Sequence, residues 1–143
     1  KHVKQYNDRK GHRAGDKALV AVARIIGDRS RGTDVVARYG GGDVAIIQPE
    51  TEHEGAHSFG DKLRTAVEGS SLDGDEPLTI SIGVAAFGMN ITATSQLVDV
   101  ADGELYRAKS LGRNRTCSPG SSCYLYDHLG GPFHASEVGA EKA

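Results

Sequence analysis

Apolar residues recur at helical spacing in three segments of the chain. In the first segment, Leu19, Val22 and Ile26 fall on one face, and Gly27 follows as a C-terminal stop. The other two segments show the same period, and Gly112 follows the last of them in the position of a helix cap. We therefore predict helices over residues 16–26, 52–68 and 95–111.

Two short apolar runs flank a run of glycines, and a third run alternates. The runs at 34–39 and 43–48 predict strands joined by a tight glycine turn, a β-hairpin that ends before Pro49. The third run, 78–87, predicts another strand. Its two faces carry Ile80, Ile82 and Val84 on one side and Thr79, Ser81 and Gly83 on the other.

The order of these predicted elements is helix, strand, strand, helix, strand, helix. It indicates an α/β protein, an α+β sandwich in which helices pack on a mostly antiparallel sheet. After Arg115 the chain becomes rich in Ser, Gly and Pro, and no period is sustained. We therefore expect a domain over residues 1–115 and a partly disordered tail over 116–143, in which Tyr124–Tyr126 could pair as a short edge strand.

Length and charge narrow the range of functions. A chain of 143 residues with a formal net charge of −2 fits one domain and gives no electrostatic reason to expect nucleic-acid binding. No apolar run approaches the roughly 20 residues needed to cross a bilayer, and the first residues do not resemble a signal peptide. We therefore expect a cytoplasmic protein with no membrane segment in this chain.

Cysteine and histidine give little indication of a metal site. Cys117 and Cys123 are close enough in sequence for a small disulfide loop, but two free thiols in a reducing cytoplasm are the favoured interpretation. Two cysteines alone are too few for a structural zinc site. His53 and His57 lie four residues apart without an evident third ligand, so we expect them to be solvated.

Polar residues near the predicted turns form candidate binding motifs. In NDRKGHRAGD, Asn7 and Asp16 could hydrogen-bond a purine edge, although an ordinary loop in which Asp16 caps a helix is the simpler alternative. In RGTD, Arg31 could bind phosphate and Asp34 could accept from guanine, with a surface ion pair as the simpler alternative.

A third motif, AKSLGRN, ends the last predicted helix. Lys109 and Arg113 lie four residues apart there, where the helix macrodipole favours cations. Because the dipole alone explains both residues, phosphate binding is the less favoured interpretation of this motif taken by itself.

Taken together, these segments resemble the GGDEF domain of diguanylate cyclases over residues 1 to about 115. The matching segments are KQYND, GH and GD within 4–16, RGTD at 31–34, RYGGGDV and AIIQPET at 38–51, TISIGVA at 79–85 and ADGELYRAKSLGRN at 101–114. Their combined order is far more specific than any one of them. The resemblance implies that two facing domains each bind one GTP, with Mg²⁺ or Mn²⁺ on its phosphates, and join the two into cyclic di-GMP.

The resemblance also implies roles for individual residues. Asn7 and Asp16 would hold guanine, and Gly40 and Gly41 would let the backbone approach GTP closely because they lack a Cβ. The residues implied to lie at the phosphates are Lys4, Lys109 and Arg113.

An inhibitory site for cyclic di-GMP is implied separately. In this family an RxxD sequence before the glycine turn forms that site, and Arg31 and Asp34 match it. Lys62, on the next predicted helix, lies where a second basic residue often completes it.

The chain departs from the family pattern at the glycine turn. The pattern is Gly-Gly, then Asp or Glu, Glu and Phe, whereas here Gly42, Asp43 and Val44 follow the first two glycines. The flanking segments keep the family's length, so Gly42 replaces an acidic metal ligand that also lies where the 3′-hydroxyl is activated. Asp43 could substitute only from a shifted loop, because neighbouring strand residues point to opposite faces.

A second departure lies at the start of the chain, where Lys1 occupies the second acidic position of the family's Asp-x-Asp pattern. We therefore expect the N-terminal strand and helix to be missing, in a fragment or a degenerate gene product, with neither metal carboxylate intact. The favoured function is a catalytically impaired domain that binds cyclic di-GMP or GTP, with a homodimer as a candidate assembly. The alternatives are an active diguanylate cyclase that uses Asp43, or a non-catalytic dimerisation module or remnant.

Overall fold

The computed structural model describes residues 12–70, 78–88, 90–121, 123, 125–126 and 132–133. Its helices are α1 (His12–Arg29), α2 (His53–Glu68) and α3 (Thr94–Ser110). Its strands are β1 (Val35–Gly40), β2 (Asp43–Ile47), β3 (Ile82–Gly83), β4 (Thr116–Cys117), β5 (Leu125–Tyr126) and β6 (Pro132–Phe133). The chain divides into two compact units: the described residues up to 51 with 65–79, and residues 52–64 with the described residues from 80 onward.

Helix α1 extends beyond its apolar pattern at both ends. It continues past Gly27, so the expectation that this glycine ends the helix is wrong. One interior glycine costs only about 1 kcal/mol relative to alanine. The end comes where the backbone N–H and the hydroxyl of Ser30 both donate to the carbonyl of Ile26, at 2.9 and 2.8 Å. Because the helix also begins earlier, Asp16 lies inside it, and the prediction that Asp16 caps it is wrong.

The other two predicted helices are confirmed to within one residue at each end. In α3 the expected apolar stripe is present, since Ala108 is buried and Leu97 and Leu105 are half-buried. At its start, the side-chain oxygen of Gln96 accepts from the backbone N–H of Ala93 at 3.2 Å, which satisfies a donor that the helix leaves unpaired. None of the helices in the described ranges is long and apolar enough to cross a membrane.

Strands β1 and β2 form the antiparallel hairpin that the glycine run predicts, and the strand ends agree to within one residue. Gly40 pairs with Asp43, which leaves Gly41 and Gly42 as the turn. The register shifts between Arg38 and Gly40, immediately before that turn. The hairpin therefore carries the glycine run at its tip.

The alternating segment forms a shorter strand than expected. Within 78–87 only Ile82–Gly83 is a strand, paired in parallel with β4. The N–H of Ile82 donates to the carbonyl of Arg115 at 2.9 Å, and the N–H of Val84 donates to that of Cys117 at 2.8 Å. The predicted length is therefore wrong, because a strand is defined by its partner and β4 supplies only two paired residues.

Helices cover both faces of β3 within the second unit. A Cβ at Gly60 of α2 would lie 3.4 Å from the Cγ2 atom of Ile82. On the other face, a Cβ at Gly83 would collide with the carbonyl oxygen of Ala101 and the backbone N–H of Leu105 in α3. Gly83 therefore permits a close approach of strand and helix that no larger residue allows.

The described strands form three separate two-stranded sheets, and the fold class is α/β as predicted. The β1–β2 and β5–β6 pairs are antiparallel, and the β3–β4 pair is parallel. The single, mostly antiparallel sheet that we expected is therefore not formed among these strands. The predicted edge strand is confirmed at Leu125–Tyr126, whereas Tyr124 and the last residues of the chain, predicted to be disordered, lie outside the described part.

Cys117 and Cys123 form a disulfide, so the expectation of two free thiols is wrong. The turn that follows β4 explains the pairing: the N–H of Ser121 donates to the carbonyl of Ser118 at 3.0 Å, and the two cysteine Cα atoms come within 5.6 Å. Arg107 of α3 donates to the carbonyl of Ser121 at 2.6 Å. The disulfide loop is thereby bonded to α3.

Candidate functional site

Arg31 and Asp34 form an ion pair at the start of the hairpin. Arg31 Nε lies 3.7 Å from Asp34 Oδ1, and the backbone N–H of Arg31 donates to Asp34 Oδ2 at 2.8 Å. The side chain of Asp34 is fully buried, whereas that of Arg31 is 56% exposed. The pair is therefore not a simple surface ion pair, because only the arginine lies at the surface.

The remaining contacts of this pair show that Asp34 is a buried anchor and that Arg31 is the accessible group. Gln48 also donates to Asp34 Oδ2, at 3.3 Å, and the guanidinium of Arg31 donates to Thr51 Oγ1 at 2.7 Å. Asp34 Oδ1 is buried and has no hydrogen-bond partner within the described ranges. Because buried carboxylate oxygens are ordinarily hydrogen-bonded, Oδ1 has capacity for a further donor, and Arg31 offers its own donors to an anion. Lys62 is exposed on α2, in the second unit.

The glycine turn has a backbone that requires glycine. Gly40 and Gly41 have φ values of +149° and +48°, which side chains rarely allow. A Cβ at either position would meet nothing within 4 Å, so space beside the turn is open in this structure. Arg38 donates through Nε and NH2 to the carbonyl of Gly41, at 3.0 and 2.7 Å, and this fork fixes the turn.

The residues that follow offer little to a divalent cation. Gly42 has no side-chain oxygen, and Asp43 is exposed as the first residue of β2. In the part of the chain that the structure describes, no group of three or more His, Cys, Asp or Glu residues could hold a metal ion. Mg²⁺ in a nucleotide site is usually held by one or two carboxylates together with phosphate oxygens and water, and the residues of this turn supply only the carboxylate of Asp43. Of the residues expected to contact GTP, Asp16 is exposed on α1, and Lys4 and Asn7 lie outside the described residues.

The cations expected at the phosphates lie in the second unit, at the end of α3. Lys109 is in the last turn of the helix, and Arg113 lies beyond the helix end, after the capping glycine. Gly112 has φ +110° and reverses the chain, and the N–H of Arg113 donates back to the carbonyl of Ala108 at 2.9 Å. This is the glycine cap predicted for the helix.

The turn after α3 is bonded to α2. Arg64 NH1 donates to Asn114 Oδ1 at 3.1 Å, while Arg64 Nε donates to Asp61 Oδ1 at 3.0 Å. Arg115 Nε donates to the carbonyl of Arg113 at 2.9 Å. Burial, and then the nearby charge of Arg64, lower the pKa of the Arg115 guanidinium.

His53 and His57 are half-buried, so the expectation that they are solvated is wrong. Their ring centroids lie 6.4 Å apart, and His57 Nδ1 lies 2.8 Å from the hydroxyl of Ser118. Ser118 is fully buried. The contact therefore joins the disulfide loop to α2 and does not present an accessible nucleophile.

Sequence reasoning missed two arginines that organise these turns. Arg38 carries a local signal, because it stands three residues before the carbonyl that it binds. Arg64 carries none, because its partner Asn114 is 50 residues away.

The fold and these turns define an α/β domain with a glycine-tipped hairpin and a basic turn after its last helix. The family model described as "Diguanylate cyclase, GGDEF domain" matches residues 1–115, and the chain belongs to this family. It is 38% identical over 115 residues to diguanylate cyclase A of Treponema denticola, and 38% identical over 112 residues to diguanylate cyclase DgcM of Escherichia coli. These matches cover 78% of this chain, and the chain spans only 31% and 27% of those relatives.

Solved structures of the same family share the fold. The GGDEF domain of DgcB from Caulobacter crescentus, solved in complex with c-di-GMP, superposes with a TM-score of 0.75 at 29% identity, covering 84% of this chain and 73% of that one. The active GGEEF domain of a diguanylate cyclase from Vibrio cholerae superposes with a TM-score of 0.77 at 26% identity, covering 84% of this chain and 78% of that one. The chain is thus a GGDEF domain of the diguanylate cyclase type.

Proposed function

We propose that this GGDEF domain is impaired in cyclic di-GMP synthesis and acts in cyclic di-GMP signalling as a nucleotide-binding domain. It would bind cyclic di-GMP at Arg31 and Asp34, with Lys62 as a second cation, or GTP at the degenerate active site. The observation that carries the proposal is Gly42, which stands where the family pattern has an acidic residue.

The loss of that acid bears directly on phosphoryl transfer. A divalent cation in such a site neutralises charge on the phosphates and lowers the barrier to attack by the 3′-hydroxyl. Glycine supplies no oxygen for it. Asp43 is one residue further along, at the start of β2, so its side chain and that of residue 42 are expected on opposite faces.

The arrangement at Arg31 supports ligand binding that does not depend on a metal. The guanidinium is more than half exposed and can bind a phosphate through two N–H donors. Asp34 would accept from the N–H groups of a guanine edge only if ligand binding exposed its carboxylate, because the side chain is fully buried and Oδ1 lies 3.7 Å from Arg31 Nε. The complex of the Caulobacter crescentus domain with c-di-GMP makes this dinucleotide the first ligand to test.

The catalytic part of the proposal is tested with GTP and either Mg²⁺ or Mn²⁺. We expect no cyclic di-GMP above background by chromatography. Synthesis at about one turnover per second, within the ordinary enzyme range, would favour the alternative in which Asp43 serves as the metal ligand. Absence of both synthesis and nucleotide binding would leave the third candidate, a dimerisation module or remnant.

The binding part is tested by calorimetric titration with cyclic di-GMP. Hydrogen bonds to charged groups are worth roughly 1.5–3 kcal/mol, so Arg31→Ala should weaken binding by about ten- to hundredfold. Arg24→Ala, which removes an exposed arginine of α1, is the matched control and should bind as the wild type does. Equal affinity in wild type and Arg31→Ala would show that RGTD is only a structural ion pair.

A further inference from the structure

The turn after α3 adopts a backbone conformation that side chains rarely allow. Gly112, Arg113 and Asn114 have φ values of +110°, +66° and +47° in succession. Glycine accepts such values freely and asparagine tolerates them, but arginine does so rarely. A conformation of this kind persists only when surrounding groups fix it, and it is characteristic of functional positions.

The groups that fix this turn come from three directions. The N–H of Arg113 is bonded to the carbonyl of Ala108, at the end of α3. Arg115 Nε holds the carbonyl of Arg113 at 2.9 Å, and Arg64 holds the side chain of Asn114 at 3.1 Å. Arg64 is itself oriented by Asp61 on the same helix and is only 18% exposed. Two guanidinium groups therefore hold this turn, one at the carbonyl of Arg113 and one at the side chain of Asn114.

The arrangement brings several cationic groups together, and the carboxylate of Asp61 offsets the charge of only one of them, Arg64, in the contacts described here. Arg64 and Arg115 are close enough for their charges to oppose each other, and both are partly buried. The Nε atom of Arg113 and the NH1 atom of Arg115 are buried without a hydrogen-bond partner among the described residues. The free Nε donor of Arg113 is the group that a phosphate would accept from, while the other two arginines bond the turn that carries it.

We propose that Arg64, through Asn114, and Arg115, through the backbone of Arg113, are positioning residues that hold Arg113 for the phosphate groups of GTP. This inference rests on the proposed GTP site, in which Arg113 contacts the phosphates. Neither positioning residue needs to touch the nucleotide. Their effect is to keep the turn in its left-handed conformation before GTP arrives, so that binding does not have to order it.

The test is a double-mutant cycle measured by titration with GTP. Arg64→Lys keeps the positive charge but loses the planar fork that joins Asp61 to Asn114. We expect Arg64→Lys and Arg113→Ala each to lower GTP affinity about tenfold or more, and the double variant to bind no more weakly than Arg113→Ala alone. Arg24→Lys, an exposed substitution of the same kind on α1, should leave the affinity unchanged.

The outcomes separate the inference from the proposed site. Unchanged affinity in Arg113→Ala, or no GTP binding by the wild type, would overturn the GTP site itself. A loss in Arg113→Ala without a loss in Arg64→Lys, or additive losses in the double variant, would overturn the positioning role alone.

Asn114→Gly keeps the proposal testable if Arg64→Lys does not fold. Glycine suits the left-handed backbone at this position, so the turn can keep its conformation, and the loss of stability should be limited to about 1–2 kcal/mol from the freer unfolded chain and the lost hydrogen bond. It cannot accept the hydrogen bond from Arg64, so GTP affinity should still fall about tenfold. A purely structural role would leave affinity at the wild-type value, and that result would overturn the inference.

Discussion

At the scale of single residues, backbone conformation explains the glycine run better than crowding does. Gly41 has φ +48°, and a Cβ there would meet nothing within 4 Å. Arg38 then fixes the carbonyl of Gly41 with two hydrogen bonds. The tip of the hairpin is thus a defined turn with open space beside it. The third residue of the run, Gly42, is not among the positive-φ glycines of the described residues, so its backbone can accept a side chain.

Gly41 and Gly32 can be compared to test the effect of backbone conformation alone. Gly41→Ala should destabilise the domain by about 1–2 kcal/mol, the cost of a left-handed backbone for a residue with a side chain. Gly32→Ala is the matched control, because its Cβ would also meet open space and its φ is not in the left-handed region. It should be neutral or stabilising by up to about 1 kcal/mol. Denaturant unfolding measures both, and equal effects would contradict the conformational explanation.

At the scale of elements, the second unit depends on close packing of β3 against α3. Gly83 faces the carbonyl of Ala101 and the N–H of Leu105, which leaves no room for a methyl group. Gly83→Ala should therefore destabilise the protein by about 1–3 kcal/mol, the usual cost of overpacking.

The control for that substitution is Gly27→Ala in α1. Gly27 lies inside a helix and faces open space, so alanine there should stabilise by about 0.5–1 kcal/mol. The free energies of unfolding of the two variants should thus change in opposite directions. A loss of stability in both would indicate that the helix around Gly27 is not as described.

The disulfide loop is a second contact at this scale. It closes over a sequence separation of six residues and carries contacts to α2 through His57 and to α3 through Arg107. Reduction by a dithiol should lower stability by about 2–4 kcal/mol, the range for a disulfide that restricts the unfolded chain. A variant with both cysteines replaced by alanine should show no dependence on the dithiol. If the wild type is equally insensitive, the disulfide does not form in solution.

At the scale of the whole molecule, local patterns predicted local structure and failed where distant segments meet. The hairpin was predictable because glycines between two apolar runs determine both the turn and the strands beside it. The length of β3 could not be predicted in this way. Its partner β4 is two residues long and lies in the part of the chain where the apolar residues show no sustained period. Arg31 and Asp34 could be paired from their spacing, whereas Arg64 and Asn114 meet only after folding. The disulfide was not predicted because free thiols were expected from a reducing cytoplasm, whereas the turn after β4 brings the two cysteines together.

At the same scale, a fusion protein can test whether Gly42 by itself prevents cyclic di-GMP synthesis. The test keeps the segment ahead of Lys1 the same and changes only residue 42. A strand that carries the family's Asp-x-Asp pattern would be fused ahead of Lys1, with and without Gly42→Glu. We expect cyclic di-GMP only from the fusion with Gly42→Glu, because only that protein has both metal carboxylates. Gly42→Gln in the same fusion is the matched control, similar in size but uncharged, and should stay inactive.

The opposite result would identify a different metal ligand. Synthesis by the fusion with native Gly42, at about one turnover per second, would mean that Asp43 reaches the metal from the start of β2. Asp43→Asn should then abolish that activity, whereas it should change nothing measurable if Gly42 is the cause of impairment. Because Gly40 and Gly41 supply the left-handed backbone of the turn, we expect a side chain at position 42 to require no change in backbone conformation. A gain of activity in Gly42→Glu would therefore report the restored carboxylate and not a reshaped loop.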